Sequence, residues 1–142
     1  MGEEIKRYML DTNSASYIIK GTNDAIKAQL ENVPMASICV SSITQAQLLR
    51  GVAKKPEAKH LPVIVKEFLL RVEILPWDSH AAEAYAELRT ACEKNGKSLG
   101  AMDMLIAAHS VSSGATLVTN DKAFYNVGHY LALEDWTGHL AC

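Results

Sequence analysis

Three carboxylates, Asp11, Asp103 and Asp121, stand where side chains can do chemistry. Asp11 ends the short apolar run Tyr8-Met9-Leu10 and is followed at once by Thr12 and Asn13, which reads as a strand handing over to a capped helix. Thr116-Leu117-Val118-Thr119 runs into Asn120-Asp121 in the same way. Open parallel sheets hold their ligands at the carboxyl ends of strands, so two strands deliver carboxylates to one edge. Asp103 lies in the first turn of a predicted helix, where the helix dipole favours a negative charge by ~0.3 to 1 kcal/mol. Each aspartate also has a plain structural reading as a helix cap. Capping does not require that two of them follow buried strands while the third opens a buried helix. Carboxylates gathered at one edge repel unless a cation sits among them. Mg²⁺ or Mn²⁺ suits an all-oxygen donor set, and the absence of His or Cys at metal-ligand spacing argues against zinc.

The elements that must position these groups follow from periodicity. After the first strand, residues 14–20 carry apolar positions at helical intervals and stop at Gly21. A second helix is predicted over 24–32, ending before Pro34, and a buried strand over 36–41 with Ile38, Cys39 and Val40 in sequence. From Ser42 the period turns helical again. Ile43, Ala46, Leu49 and Val52 share one stripe, and Gln47, Arg50 and Lys54 share another. That second stripe starts just past a strand end, so Gln47 looks into the edge that holds Asp11 while Arg50 and Lys54 rise toward its rim. A helix over 57–72 follows, in which Pro62 either sits in the first turns or divides a helix pair. Ile74-Leu75 is a brief strand, 80–94 a helix ended by Asn95-Gly96, and 102–113 a helix apolar nearly all round. One helical turn over 121–124, a last strand near 131–133 and an exposed-looking tail with Trp136 complete the chain. The order β-α-α-β-α-α-β-α-α-β-α-β predicts an α/β fold with a central parallel sheet flanked by helices. There is no internal repeat and no low-complexity segment.

The bulk composition limits the alternatives. A chain of 142 residues with 49% apolar and 21% charged residues is expected to form one domain spanning 1–142. No apolar run approaches the ~18 residues of a membrane span, and no leader precedes the first strand, so the expected location is cytoplasmic. Cys39, Cys92 and Cys142 are odd in number and widely spaced, which indicates neither a disulfide framework nor a zinc site. They read as strand core, helix and free tail. The net charge of −2 argues against a broad basic nucleic-acid face but is compatible with a local basic rim.

Several segments in the same order resemble the PIN-domain nucleases, in particular the VapC-type toxins of bacterial toxin–antitoxin pairs. They are Met9-Leu10-Asp11-Thr12-Asn13, Ser41 to Gly51, Gly100 to His109, Leu117 to Phe124, and Glu134-Asp135-Trp136. The resemblance spans nearly the whole chain. It implies a single PIN-like domain and an endoribonuclease that hydrolyses a phosphodiester bond with a divalent metal. Asp11, Asp103 and Asp121 would hold Mg²⁺ or Mn²⁺, and Asn13 and Thr119 would orient the carboxylates through hydrogen bonds. It also implies a homodimer, a cognate VapB-type antitoxin whose tail enters the acidic groove, and tRNA or ribosomal RNA as substrate.

One position departs from the family pattern. Where a Glu is expected in the helix after the second strand, this chain has Gln47. An amide keeps the shape and one carbonyl oxygen but loses the charge and adds NH₂ donors. The departure implies an attenuated or inactive enzyme, with a natural variant and an engineered substitution both open. Arg50 and Lys54 are the first candidates for RNA phosphates, beside the plainer reading of a solvated helix face. His109 reads as a core histidine, Ile64, Phe68 and Leu69 as packing or a partner surface, and Trp77 and Trp136 as packing beside strand ends. Two rival functions share the layout. A phosphatase forming an aspartyl-phosphate would want Asp where Asn13 stands. A non-catalytic module holding RNA or protein on a nuclease fold is kept open by Gln47.

Overall fold

Short apolar runs that stop at polar, helix-starting residues build a sheet whose strands all point the same way. The computed structural model describes residues 6–138. Within them the strands β1 (Tyr8–Leu10), β2 (Ile38–Ser41), β3 (Glu73–Leu75), β4 (Thr116–Val118) and β5 (Leu133–Glu134) form one parallel sheet in the order β3-β2-β1-β4-β5. The helices are α1 (Thr12–Lys20), α2 (Asp24–Glu31), α3 (Ser42–Ala53), α4 (Leu61–Arg71), α5 (Ser79–Lys94), α6 (Ala101–Ser112) and the single turn α7 (Lys122–Tyr125). The predicted α/β class and element order both hold.

Growth of the sheet switches side after β3. The chain lays β2 and β3 on one flank of β1, then crosses to place β4 on the other, with Leu10 beside Val118. A crevice opens at such a switch point, outside the carboxyl ends of β1 and β4. Both faces of the sheet are covered. Met9, Cys39 and Leu117 pack with Leu88, Cys92, Met104 and Ile106 of α5 and α6. Their neighbours Leu10, Val40 and Val118 pack on the opposite face with Ala15, Ile26, Val65 and Phe68 of α1, α2 and α4. The alternation is the two-residue period of a strand, and each fully buried side chain contributes about 1.5 to 3 kcal/mol. α6 is buried on several sides, as its composition predicts.

Boundaries differ from the sequence reading by two residues or more in four places. α1 begins at Thr12, because Asp11 itself caps it. Residues 35–37 form a 3₁₀ turn before β2. Neither a helix over 57–72 nor a helix pair forms. α4 starts at Leu61, with Pro62 in its first turn, where a missing N–H costs nothing and no preceding carbonyl is struck. β5 lies at Leu133–Glu134, and the Trp136 expected in an exposed tail is 5% exposed, packed on Tyr8 with its indole N–H donating to Glu134. Cys39 and Cys92 are buried free thiols, and Cys142 lies outside the described residues. Among the described residues no helix is long and apolar enough to cross a membrane.

Candidate active site

Asp11 is the best-anchored member of the site. It caps α1, its Oδ1 accepting the Ser14 backbone N–H at 2.8 Å, and its Oδ2 accepts the Thr119 hydroxyl at 2.6 Å. Its own backbone N–H donates to Val118, continuing the β1–β4 ladder past the strand ends. Asp11 is 4% exposed. Burial pushes its carboxyl up, the bonds from Thr119 and Ser14 oppose the rise, and the Asp121 charge adds to it.

Thr119 ties the two strand ends together. Its side-chain oxygen donates to Asp11 and accepts the Asp121 backbone N–H at 3.1 Å. Asp121 in turn caps α7 by accepting the Ala123 N–H at 2.9 Å. Asp103, half-buried in the first turn of α6, has its carboxyl raised by burial, then by the charges of Asp121 and Asp11. The three aspartates therefore feel one another across the crevice. Among the described residues no Lys or Arg is ion-paired with any of them.

The donors suit a hard divalent cation, since every side chain offered is an oxygen acceptor and the repulsion among them has no paired counter-charge among the described residues. Among those residues no three His, Cys, Asp or Glu side chains are grouped closely enough to hold a metal ion by themselves. Magnesium tolerates that, because it keeps several waters and takes one or two carboxylates together with substrate phosphates.

The remaining predicted residues divide. Gln47 is half-buried on α3 and joins the site through Thr12, whose hydroxyl donates to the Gln47 side-chain carbonyl. Arg50 and Lys54 are exposed further along the same helix. Asn13 is exposed in the first turn of α1, and among the described residues no bond joins it to the three carboxylates. Ser14, one residue on, supplies the backbone N–H that the Asp11 carboxylate accepts, and its hydroxyl donates to the Val118 carbonyl. The spacing of Asp11 to Ser14 is that of a helix cap to its third residue, a signal present in the sequence. Tyr125 had no such signal. Its hydroxyl donates to the Thr119 carbonyl at 3.0 Å, and its phenol is pushed up by burial and by the charges of Asp135, Asp11 and Glu134.

Comparison with known proteins agrees with this geometry. The PIN-domain family model matches residues 8–130. The "Ribonuclease VapC2" of Rickettsia felis is 38% identical, over 91% of this chain and 97% of that protein. The "tRNA(fMet)-specific endonuclease VapC" of Shigella flexneri is 30% identical, over 92% of this chain and 98% of that protein. The DNA-bound VapBC structure from Salmonella typhimurium superposes with a TM-score of 0.84 at 31% identity, covering 92% of this chain and 98% of the matched chain. A family match across most of the chain, together with full-length relatives, establishes that it belongs to the PIN-domain family, among the VapC-type endoribonucleases.

Proposed function

We propose that this chain is a toxin that hydrolyses a phosphodiester bond in tRNA or another translation-related RNA, using Mg²⁺ or Mn²⁺ held by Asp11, Asp103 and Asp121. The observation that carries the reading is the Thr119 side-chain oxygen, which donates to the Asp11 carboxylate at 2.6 Å and accepts the Asp121 backbone N–H at 3.1 Å, gathering carboxylates with no ion-paired Lys or Arg among the described residues. When bound, such a metal lowers the pKa of water and stabilises charge on phosphoryl oxygens. The chain's own part is to present oxygens already fixed. Asp11 is held by Ser14 and Thr119, and Thr119 also sets the backbone that carries Asp121. Arg50 and Lys54, exposed further along α3, would meet the phosphates of the RNA backbone.

A tRNA substrate is supported by the Shigella flexneri relative, which is named for its specificity toward tRNA(fMet). An antitoxin partner is supported by solved relatives that are VapBC complexes. Homodimerisation is an expectation of the family resemblance.

Gln47 attenuates this activity in our reading, since an amide occupies the place of an expected fourth carboxylate. The same residue favours a second reading, a module that binds RNA or protein without cutting. Cleavage of total tRNA in Mg²⁺ or Mn²⁺ separates them. The Gln47→Glu protein is expected to cut a discrete RNA ~10- to 100-fold faster than the starting protein, the scale of effect seen when groups around a metal are altered. Adding Asp103→Asn abolishes that cleavage. Binding with no cleavage in the Gln47→Glu protein supports the second reading instead.

A further inference from the structure

Next to the acidic crevice lies a cleft of about 140 Å³ between α1, α3 and the start of α4. Its apolar wall is made by Leu48, Val52, Leu61 and Val65. Its polar side carries Thr12, Ser16 and Gln47, and Lys20 and Lys55 stand at its lip. Both lysines are exposed, and among the described residues neither is in an ion pair. The cleft adjoins the first of the carboxylates, because Thr12 follows Asp11 in the chain and its hydroxyl donates to Gln47.

We propose that this cleft is a nucleotide subsite, seating one base of single-stranded RNA beside the scissile phosphate while Lys20 and Lys55 take the flanking phosphate. The proposal rests on the endoribonuclease reading above. A strand cut in its interior must leave the carboxylates in both directions, and the cleft is a route lined for it. Its volume is well below the ~300 to 1,000 Å³ of a pocket that engulfs a whole ligand, so it takes a fragment. A base offers a flat apolar face for the aliphatic wall and a polar edge for the Gln47 amide, which is both donor and acceptor. The phosphate offers the charge that the two ammonium groups lack. An acidic peptide would satisfy the lysines and leave the apolar wall bare. Lys20 and Lys55, which line the cleft, thereby add to the backbone contacts proposed for Arg50 and Lys54.

The test is binding of a short fluorescein-labelled single-stranded oligoribonucleotide, followed by anisotropy in EDTA over a range of salt, so that no cutting intervenes. In the Lys20→Ala/Lys55→Ala protein the slope of log K against log salt is expected to shrink by about 0.7, for the one phosphate no longer neutralised, with affinity at low salt falling on the order of tenfold. Lys94→Ala, on the opposite face with α5, changes neither. Gly51 lines the same cleft, and a Cβ added there meets nothing within 4 Å. Gly51→Leu keeps the helix, fills the cleft, and is expected to weaken binding while leaving the salt slope unchanged. Unaltered affinity and slope in both variants, with RNA still bound by the starting protein, overturn the subsite and leave the nuclease reading standing. Tighter binding of an oligoglutamate peptide than of RNA, abolished when the lysines are replaced, makes it a peptide site and overturns the proposal. Absence of any RNA binding by the starting protein and by the Gln47→Glu protein overturns the nuclease reading and the subsite together.

Discussion

Asp103 illustrates how a proposed site residue works against the fold that carries it. Burial and the charges of Asp121 and Asp11 raise its carboxyl above the ordinary 3.8. A carboxyl whose folded pKa is raised favours folding when protonated, and that contribution is lost as pH rises through the folded value. At neutral pH the ionised group is therefore a net cost. Asp103→Asn removes the charge and keeps the size, so thermal unfolding at pH 7 is expected to rise by a few degrees while metal-dependent cleavage is lost. A melting temperature that falls would mean that the carboxylate is compensated within the fold and would count against a metal there. Asp11 is a poorer subject for the same test, because its oxygens also hold Ser14 and Thr119. Cys39 shows the contrast of a titratable group outside the candidate site: burial pushes its thiol up to about 12, which leaves it an unreactive part of the core at neutral pH.

At the scale of elements, two helices that carry site residues are joined by a buried pair. Ser41 ends β2 and caps α3, its side-chain oxygen accepting the Ile43 N–H at 3.1 Å. His109, on α6 and 3% exposed, places Nδ1 2.7 Å from the same oxygen. Because that oxygen already accepts from Ile43, its proton is free to go to Nδ1 of a neutral imidazole. Burial holds the His109 ring below its ordinary 6.5, against the opposing charge of Asp78. For a base depressed in the fold, stability is fully present above the unfolded value and is lost as pH falls through the folded one. The urea midpoint is thus expected to drop between about pH 7 and pH 5, and His109→Gln is expected to flatten that drop. An equal drop in both proteins would place the pH dependence elsewhere. The sequence reading of His109 as a core residue agrees with this pairing.

At the scale of the molecule, the charge balance constrains how RNA can bind. The chain carries 14 basic and 16 acidic residues, so a wide electrostatic face is not available and contacts must be few and local. A partner that fits this fold and not the unfolded chain stabilises it by mass action, by about 2.7 kcal/mol at a hundredfold excess over Kd. Under the toxin reading, adding the antitoxin encoded with this chain is expected to raise the melting temperature in a concentration-dependent way and to suppress cleavage in the Gln47→Glu protein. An antitoxin without effect on either would count against that partnership.

The junctions Leu10-Asp11 and Thr119 to Asp121 were legible in the sequence because a strand end and a helix cap are local signals, set by neighbouring residues. The same holds for the β and α order, the buried α6 and the opening position of Asp103. Pro62 was visible, but which side of it the helix occupied depended on the turn at residues 55–60, where Ala58 and Leu61 donate back to Lys55 and Ala58. Tertiary structure alone decided that β4 lies against β1, which brings the Thr119 hydroxyl onto Asp11 across 108 residues of sequence. It also turned Asn13 outward, set Tyr125 beneath the Thr119 carbonyl, and brought Lys20 and Lys55 to one cleft with Gln47. Such pairings join segments with no local preference for each other, and they exist because both faces of the sheet must be covered and the backbone groups between the strands must be satisfied.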